Sequence, residues 1–251
     1  MNRVARVWPP VVFGVGLLLL WELVVTFGRV PAFLLPTPSA IAAQVGAQFG
    51  VIVPTAAVTG GNALAGLVAG FLLGLVLAVL ASSSRVIGEL LTPVVLAASA
   101  VPIVALAPVF TTMFGSTTEI PRRLVVTVVV TVPVFVATAR GLRQVQPVHA
   151  ELMTALAATP WQRARLVRLP GAVPYVMTGL RLAAPAAVIA AIVAEYFGGL
   201  QNGLGSRISA AAANTAYARA WAFVAASIAL GLLFHLAGLL VERLVTRGRT
   251  A

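Results

Sequence analysis

Six carboxylates are all this chain offers for acid–base or metal chemistry, and each is a glutamate: Glu22, Glu89, Glu119, Glu151, Glu195 and Glu242. Asp, Cys and Lys do not occur, and the two histidines are His149 and His235. A general acid–base pair or a metal site needs such groups to converge within a few ångströms. Here they are scattered over different apolar runs and connections, so no catalytic pair and no two-histidine metal site is expected. Without cysteine, structural disulfides, thiolate zinc sites and cysteine nucleophiles are excluded. Without lysine there is no phosphate loop of the Walker A kind, whose lysine must reach the terminal phosphates. The chain therefore cannot hydrolyse ATP by that route.

Three single residues invite functional readings. Glu195 stands near the end of an apolar run, where a carboxylate either pairs with Arg207 or Arg219 or touches a solute. Glu22 is placed at a membrane interface. His235 lies inside an apolar run, where a hydrogen-bonded packing role is favoured over a proton relay.

The elements that must carry these residues are set by composition. Of 251 residues, 60% are hydrophobic and 9% charged, and the mean hydropathy is +1.03. A soluble domain is about half apolar and a quarter charged, so lipid is the solvent for most of this surface. Runs near the roughly 20 residues that cross a hydrocarbon core recur along the chain. They predict an all-α membrane protein of about six transmembrane helices in a single domain, 1–251, with spans near 10–27, 62–81, 88–114, 124–139, 175–197 and 221–240. Residues 1–25 resemble a signal peptide but lack a small-residue cleavage site, and are read as a retained first helix. Between the first two spans a short helix capped by Ser39 is expected. Gly66, Gly70 and Gly74 recur every four residues, which lets another helix approach closely. Pro93, Pro102 and Pro108 should break the third span, making Pro102 and Pro108 candidates to line a pathway, together with Glu195.

The formal charge of +11 comes from 17 arginines. They fall mainly between apolar runs, which fits membrane topology and not a nucleic-acid face. With the N-terminus inside, eleven arginines fall on the cytoplasmic side, with Arg181 near it, and five, Arg29, Arg122, Arg123, Arg207 and Arg219, on the other. The positive-inside rule then predicts a multi-pass protein of the cell membrane with both termini cytoplasmic.

The longest cytoplasmic segment, 140–170, is too polar for lipid yet rich in helix signals. Pro147 can open one helix, with Glu151 in an early turn. Thr159, Pro160 and Gln162 read as an N-cap, a first-turn proline and the partner of a capping box. A helix-turn-helix along the inner face is expected. Its second half, with Trp161, Arg163, Arg165, Val167 and Arg168, is not cleanly two-faced, so a protein partner explains it better than a lipid surface.

This segment resembles the cytoplasmic loop of ABC importer permeases, whose pattern is E-A-A, three residues, G, nine residues, I, one residue, L-P. Here Glu151-Leu152-Met153 opens it, Ala157 stands at the glycine, and Val167, Leu169 and Pro170 close it at the right spacing. Further elements resemble the branch that handles nitrate, sulfonate, taurine, bicarbonate and thiamine precursors. They are Leu35-Pro36-Thr37-Pro38-Ser39, Val101-Pro102, Ala107-Pro108, Phe114-Gly115, Pro170-Gly171-Ala172-Val173-Pro174, Gly179-Leu180-Arg181-Leu182-Ala183, Ala194-Glu195 and Gly203-Leu204-Gly205. Together they cover roughly residues 35–245.

The resemblance implies a type I ABC importer (MetI-like) permease fold. It implies a pair of permease copies that pass a small polar solute, either a nitrate-, sulfonate- or taurine-like anion or a thiamine or pyrimidine precursor. It further implies an external binding protein that delivers the solute, and a separate ATPase subunit that holds ATP and magnesium. The coupling loop would then comprise Glu151, Ala155, Ala157, Thr159 and Trp161, followed by Arg165, Val167, Leu169 and Pro170. An ion-coupled secondary transporter is the rival. It would need ionisable residues at mid-membrane depth in two matching halves, which this sequence does not provide. An adjacent ATPase gene and an exported binding protein would decide for the importer.

Overall fold

The computed structural model describes residues 3–247, so Arg249 lies outside the described residues, as do the side chains of Arg3 and Arg6. All regular structure among the described residues is helical. In chain order the helices are α1 (Arg3–Phe27), α2 (Pro38–Ala47), α3 (Phe49–Ser83), α4 (Arg85–Ala98), α5 (Ile103–Phe114) and α6 (Ile120–Arg143). Then come α7 (Pro147–Ala155), α8 (Pro160–Arg163), α9 (Leu169–Tyr196), α10 (Leu204–Ala213) and α11 (Tyr217–Thr246). A π-helical turn, Ala164–Arg168, joins α8 to α9.

Four helical columns are long and apolar enough to cross a membrane: α3, α6, the run from α8 through α9, and α11. The pair α4 and α5, bent by 93°, is the fifth candidate. The apolar stretch of α1, Val11–Phe27, reaches only about 25 Å against a core of about 30 Å. The expected sixth crossing depends on it.

Glycine sets how α3 meets α6. A Cβ on Gly66 would strike Val126, one on Gly70 would lie 2.8 Å from the Val130 Cβ, and one on Gly74 2.9 Å from the Val134 Cβ. The four-residue glycine stripe is thus filled by a four-residue valine stripe, and small residues let the backbones close up where no hydrophobic driving force operates between helices. Because 66, 70 and 74 meet 126, 130 and 134 in ascending order, the two helices run parallel. The chain between them must therefore return to its starting end, which makes α4–α5 a broken span. Helices of 14 and 12 residues at right angles reach about 28 Å end to end, close to the hydrocarbon thickness. Among the three prolines of this span, the break falls at Pro102, the N-cap of α5, whereas Pro93 and Pro108 sit within helices.

On the other side of α6, Gly179 packs against Val134 and Ala137, and Gly141 against Tyr175. This register is descending, so α9 is antiparallel. The core shared by α3, α6 and α9 is built from valine and alanine, including Val125, Val130, Ala183, Ala187 and Ala191. Helix α11 closes against α9, where Gly238 meets Ala184 and Arg181 binds Glu242 at 3.1 Å.

Three expectations need correction here. The second span begins at Phe49, well before residue 62, and carries Pro54 inside it. The cap of α2 is Thr37, whose Oγ1 accepts from the Ala40 N–H at 3.2 Å, with Pro38 in the first turn. Ser39 instead gives its N–H and hydroxyl to Glu22, at 3.0 and 2.7 Å. Glu22 thus answers the positive end of α2 and, with the edge-to-face pair Trp21–Trp221, ties the end of α1 to the bundle. His235 faces outward from α11 among exposed leucines and makes no side-chain hydrogen bond among the described residues, so it does not pack within this chain.

Candidate functional site

Two regions at opposite ends of the bundle carry the candidate chemistry. At the end where α6 finishes and α9 begins, the segment 140–170 forms an elbow. Pro147 opens α7 after the extended Gln146, and the helix stops at Leu156. Glu151 is the fifth of nine residues and lies beyond the first turn. The expected gain from the helix dipole is therefore absent, since that effect fades after one turn. Ala157, at the position of the family's glycine, has φ +49. The left-handed conformation that turns α7 into α8 is thus carried by a residue with a Cβ, at a cost of about 1 kcal/mol.

Thr159 restarts the helix as expected. Its Oγ1 accepts from the Gln162 N–H, and the Gln162 side chain accepts from the Thr159 N–H at 2.8 Å, a complete capping box with Pro160 in the first turn. Arg163 Nε donates to the Ala158 carbonyl at 3.1 Å, fastening the corner. The second helix does not then lie along the surface as a separate element. It passes through the π-turn, past Leu169 and Pro170, into α9, giving one helical column from Pro160 to Tyr196. Proline is accepted at Pro170 because it falls at the first turn of α9, where the π-turn has already displaced the hydrogen-bond ladder.

All but one of the candidate coupling residues of the elbow are exposed. Glu151, Ala155, Ala157 and Thr159 are exposed, as are Trp161, Arg165, Leu169 and Pro170, while Val167 is half-buried. Trp161 is 69% exposed. Val148, Leu152 and Leu156 recur every four residues along α7 and its C-cap and are all exposed, which makes an apolar stripe.

The opposite end is held by a polar network. Glu119, just before α6, accepts from Asn62 Nδ2 (2.7 Å) and Arg122 (2.8 Å) at one oxygen and from Asn202 Nδ2 (2.7 Å) at the other. Arg122, 2% exposed, also donates to Asn202 Oδ1 at 2.7 Å and to the Leu200 carbonyl. Arg123 Nε donates to Asn62 Oδ1 at 3.1 Å. Burial, the largest single influence, pushes the Glu119 carboxyl up. The hydrogen bonds from Asn202 and Asn62 and the Arg122 charge outweigh it, so its pKa lies below the ordinary 4.5. Residue types alone did not single out this network, although Glu119 and Arg122 stand at the three-residue spacing of a helical ion pair.

Beneath it, Glu195 is 1% exposed. Its Oε2 accepts from Thr59 Oγ1 at 2.8 Å and from the Gly205 N–H at 3.0 Å, and Thr59 Oγ1 accepts from the Leu204 N–H at 2.9 Å. The expected pairing with Arg207 or Arg219 is not made, and both arginines are exposed. A Cβ on Gly205 would collide with the Ile192 carbonyl, so glycine is required for α10 to seat its N-terminus on Glu195. Pro102 and Pro108 are exposed on the bent span. Glu195 is enclosed, so the three pathway candidates do not share a surface.

Residues 70–249 match the family described as binding-protein-dependent transport system inner membrane component. The chain belongs to that family of ABC transporter permeases. A probable ABC transporter permease of Haemophilus influenzae is 34% identical over 78% of this chain and 79% of its own length. The riboflavin transport system permease RibX of Chloroflexus aurantiacus is 32% identical over 96% of this chain and 91% of its own. Among solved structures, an inward-facing MetNI methionine ABC transporter chain superposes with a TM-score of 0.67 at 20% identity, covering 79% of this chain and 98% of that one. These matches establish an ABC importer permease subunit, a multi-pass membrane protein that is not an enzyme. As a family member it works with an ATPase and a substrate-binding protein.

Proposed function

We propose that two copies of this permease form a pathway for a small nitrogen heterocycle, handed over by an external binding protein and driven by an ATPase seated on the α7–α8 elbow. The observation that carries the coupling role is the exposed apolar stripe Val148, Leu152 and Leu156, followed by the exposed Trp161 on a corner stiffened by a capping box. Such a surface is costly to leave in water and suits a groove in another protein. ATP and magnesium belong to that partner. Its closure would pull on α8 and so tilt α9, while Pro102 and Pro108 would bend the α4–α5 span around the solute. The arginine asymmetry supports an elbow on the cytoplasmic side with both termini, which reporter fusions at residue 251 and within 197–203 would test.

A heterocycle is favoured over a nitrate- or sulfonate-like anion for two reasons. Arg181, the arginine in the middle of a spanning helix, is paired with Glu242, and Arg122, near the start of α6, is paired with Glu119, leaving no unpaired cation at mid-depth for an anion among the described residues. The riboflavin permease, similar over nearly the whole chain, handles a heterocycle by name.

Because the chain has no cysteine, Trp161→Cys gives a single reactive site. Cross-linking in membranes that contain the cognate ATPase should trap that subunit. A silent Trp161→Cys beside a reactive Arg207→Cys control in the same membranes would rule the coupling assignment out. Thermal shift of the binding protein with pyrimidines, flavins, sulfonates and nitrate would identify the solute, and a response to the anions alone would refute the heterocycle.

A further inference from the structure

At the end where α4 begins and α6 finishes, the two helices enclose a groove of about 490 Å³. Its lining changes character with depth. On α6, Val136, Ala139, Arg140 and Arg143 follow one another at three- and four-residue spacing and so share a face. On α4, Thr92 and Leu96 stand four apart in the same way, and all six residues line the groove. Both helices thus present polar groups near the end of the bundle and apolar groups toward its middle.

Arg140 and Arg143 are exposed. Neither side chain has a hydrogen-bond or ion-pair partner among the described residues, whose salt bridges involve Arg85, Arg122 and Arg181. Glu89, in the adjoining groove that shares Thr92 and Arg143, is already engaged by Arg85 at 2.8 Å. Arginines in the last turn also answer the negative end of α6, but that role needs no apolar wall beside them. At 24 residues α6 is about 36 Å long, so its final turn lies at headgroup level and the wall lies in hydrocarbon.

We propose that this groove binds an anionic phospholipid. Arg140 and Arg143 would clamp the phosphate, Thr92 would donate a further hydrogen bond, and an acyl chain would lie along Leu96 and Val136. A free phosphate would satisfy the guanidiniums but leave the apolar wall without purpose.

The test uses the full-length permease in detergent, with lipid adducts counted by native mass spectrometry. Phosphatidylglycerol should be retained in preference to phosphatidylcholine. Each cationic side chain at an anionic surface is worth about five-fold, so Arg140→Gln with Arg143→Gln should cost roughly thirty-fold in phosphatidylglycerol retention. Val136→Trp, which fills the apolar part and leaves the charge unchanged, should also weaken retention. It reads the site even if the double variant proves unstable. Arg207→Gln, at the other end of the bundle, should change nothing. The proposal is overturned if the double variant keeps wild-type selectivity, if Arg207→Gln loses as much, or if phosphatidylcholine binds equally. Displacement of the lipid by millimolar inorganic phosphate would make it a free-anion site and equally overturn it.

Discussion

Thr59 of α3 donates its hydroxyl hydrogen to Glu195 of α9 across 2.8 Å, inside a region closed to solvent. The same carboxylate oxygen accepts from the Gly205 N–H. Removing the side chain with Glu195→Ala strands the buried Gly205 N–H and leaves the Thr59 hydroxyl only the Thr55 carbonyl to donate to, at about 1–3 kcal/mol. Glu195→Gln keeps an acceptor there and should stay near wild type. Thermal unfolding in detergent, read by tryptophan fluorescence, separates the two, and an unshifted alanine variant would dismiss the latch.

Gly70→Ala places a methyl 2.6 Å from the Thr127 carbonyl and 2.8 Å from the Val130 Cβ. Neither can move without parting α3 from α6, so a loss of about 1–3 kcal/mol is expected. Gly61 has open space at its Cβ, so Gly61→Ala serves as the clash-free control in the same melting experiment, at or slightly above wild type.

Acid should loosen the network around Glu119. The Glu119 pKa is lower in the folded protein than the ordinary 4.5. Its stabilising contribution is therefore complete above that ordinary value and is lost as pH falls through the folded one. Melting temperature followed from pH 6 down to about 3 should drop less steeply in Glu119→Gln than in wild type. Superimposable profiles would show that the network does not sense this proton.

At Ala157 the left-handed backbone, φ +49, makes Gly the better residue. Ala157→Gly should raise stability by about 0.5–1 kcal/mol, and Ala157→Val should lower it by more. Denaturant midpoints of the two variants give the sign directly.

Replacing Glu151 and Trp161 together should leave insertion intact, since both are exposed, while uptake in proteoliposomes falls and ATP hydrolysis continues. Uptake at the wild-type level would remove the coupling assignment.

Much of this was readable in the sequence because one force dominates each feature. Lipid thickness dictated the apolar runs, glycine spacing the α3–α6 seam, and local hydrogen bonding the box at Thr159. What escaped was set by partners distant in sequence. Glu195 found Thr59, 136 residues away, and the nearby arginines went unused. Glu119 gathered Asn62 and Asn202, which no local spacing connects. Pro170 was expected to end the elbow, yet the π-turn absorbs it and lets the helix run on. Ser39 is not the cap because α2 opens one residue earlier, at Pro38, which leaves Thr37 outside the helix to cap it and frees Ser39 to donate to Glu22 of another helix.

The helical column from Pro160 to Tyr196 has 37 residues, or about 55 Å. It joins Trp161 at one face of the membrane to Glu195 near the other. A rocking of about 5° about its midpoint displaces each tip by roughly 2.4 Å, nearly the reach of the Thr59 hydrogen bond. One strut could thus loosen the far latch as the near socket is drawn, without any relay of side chains between them.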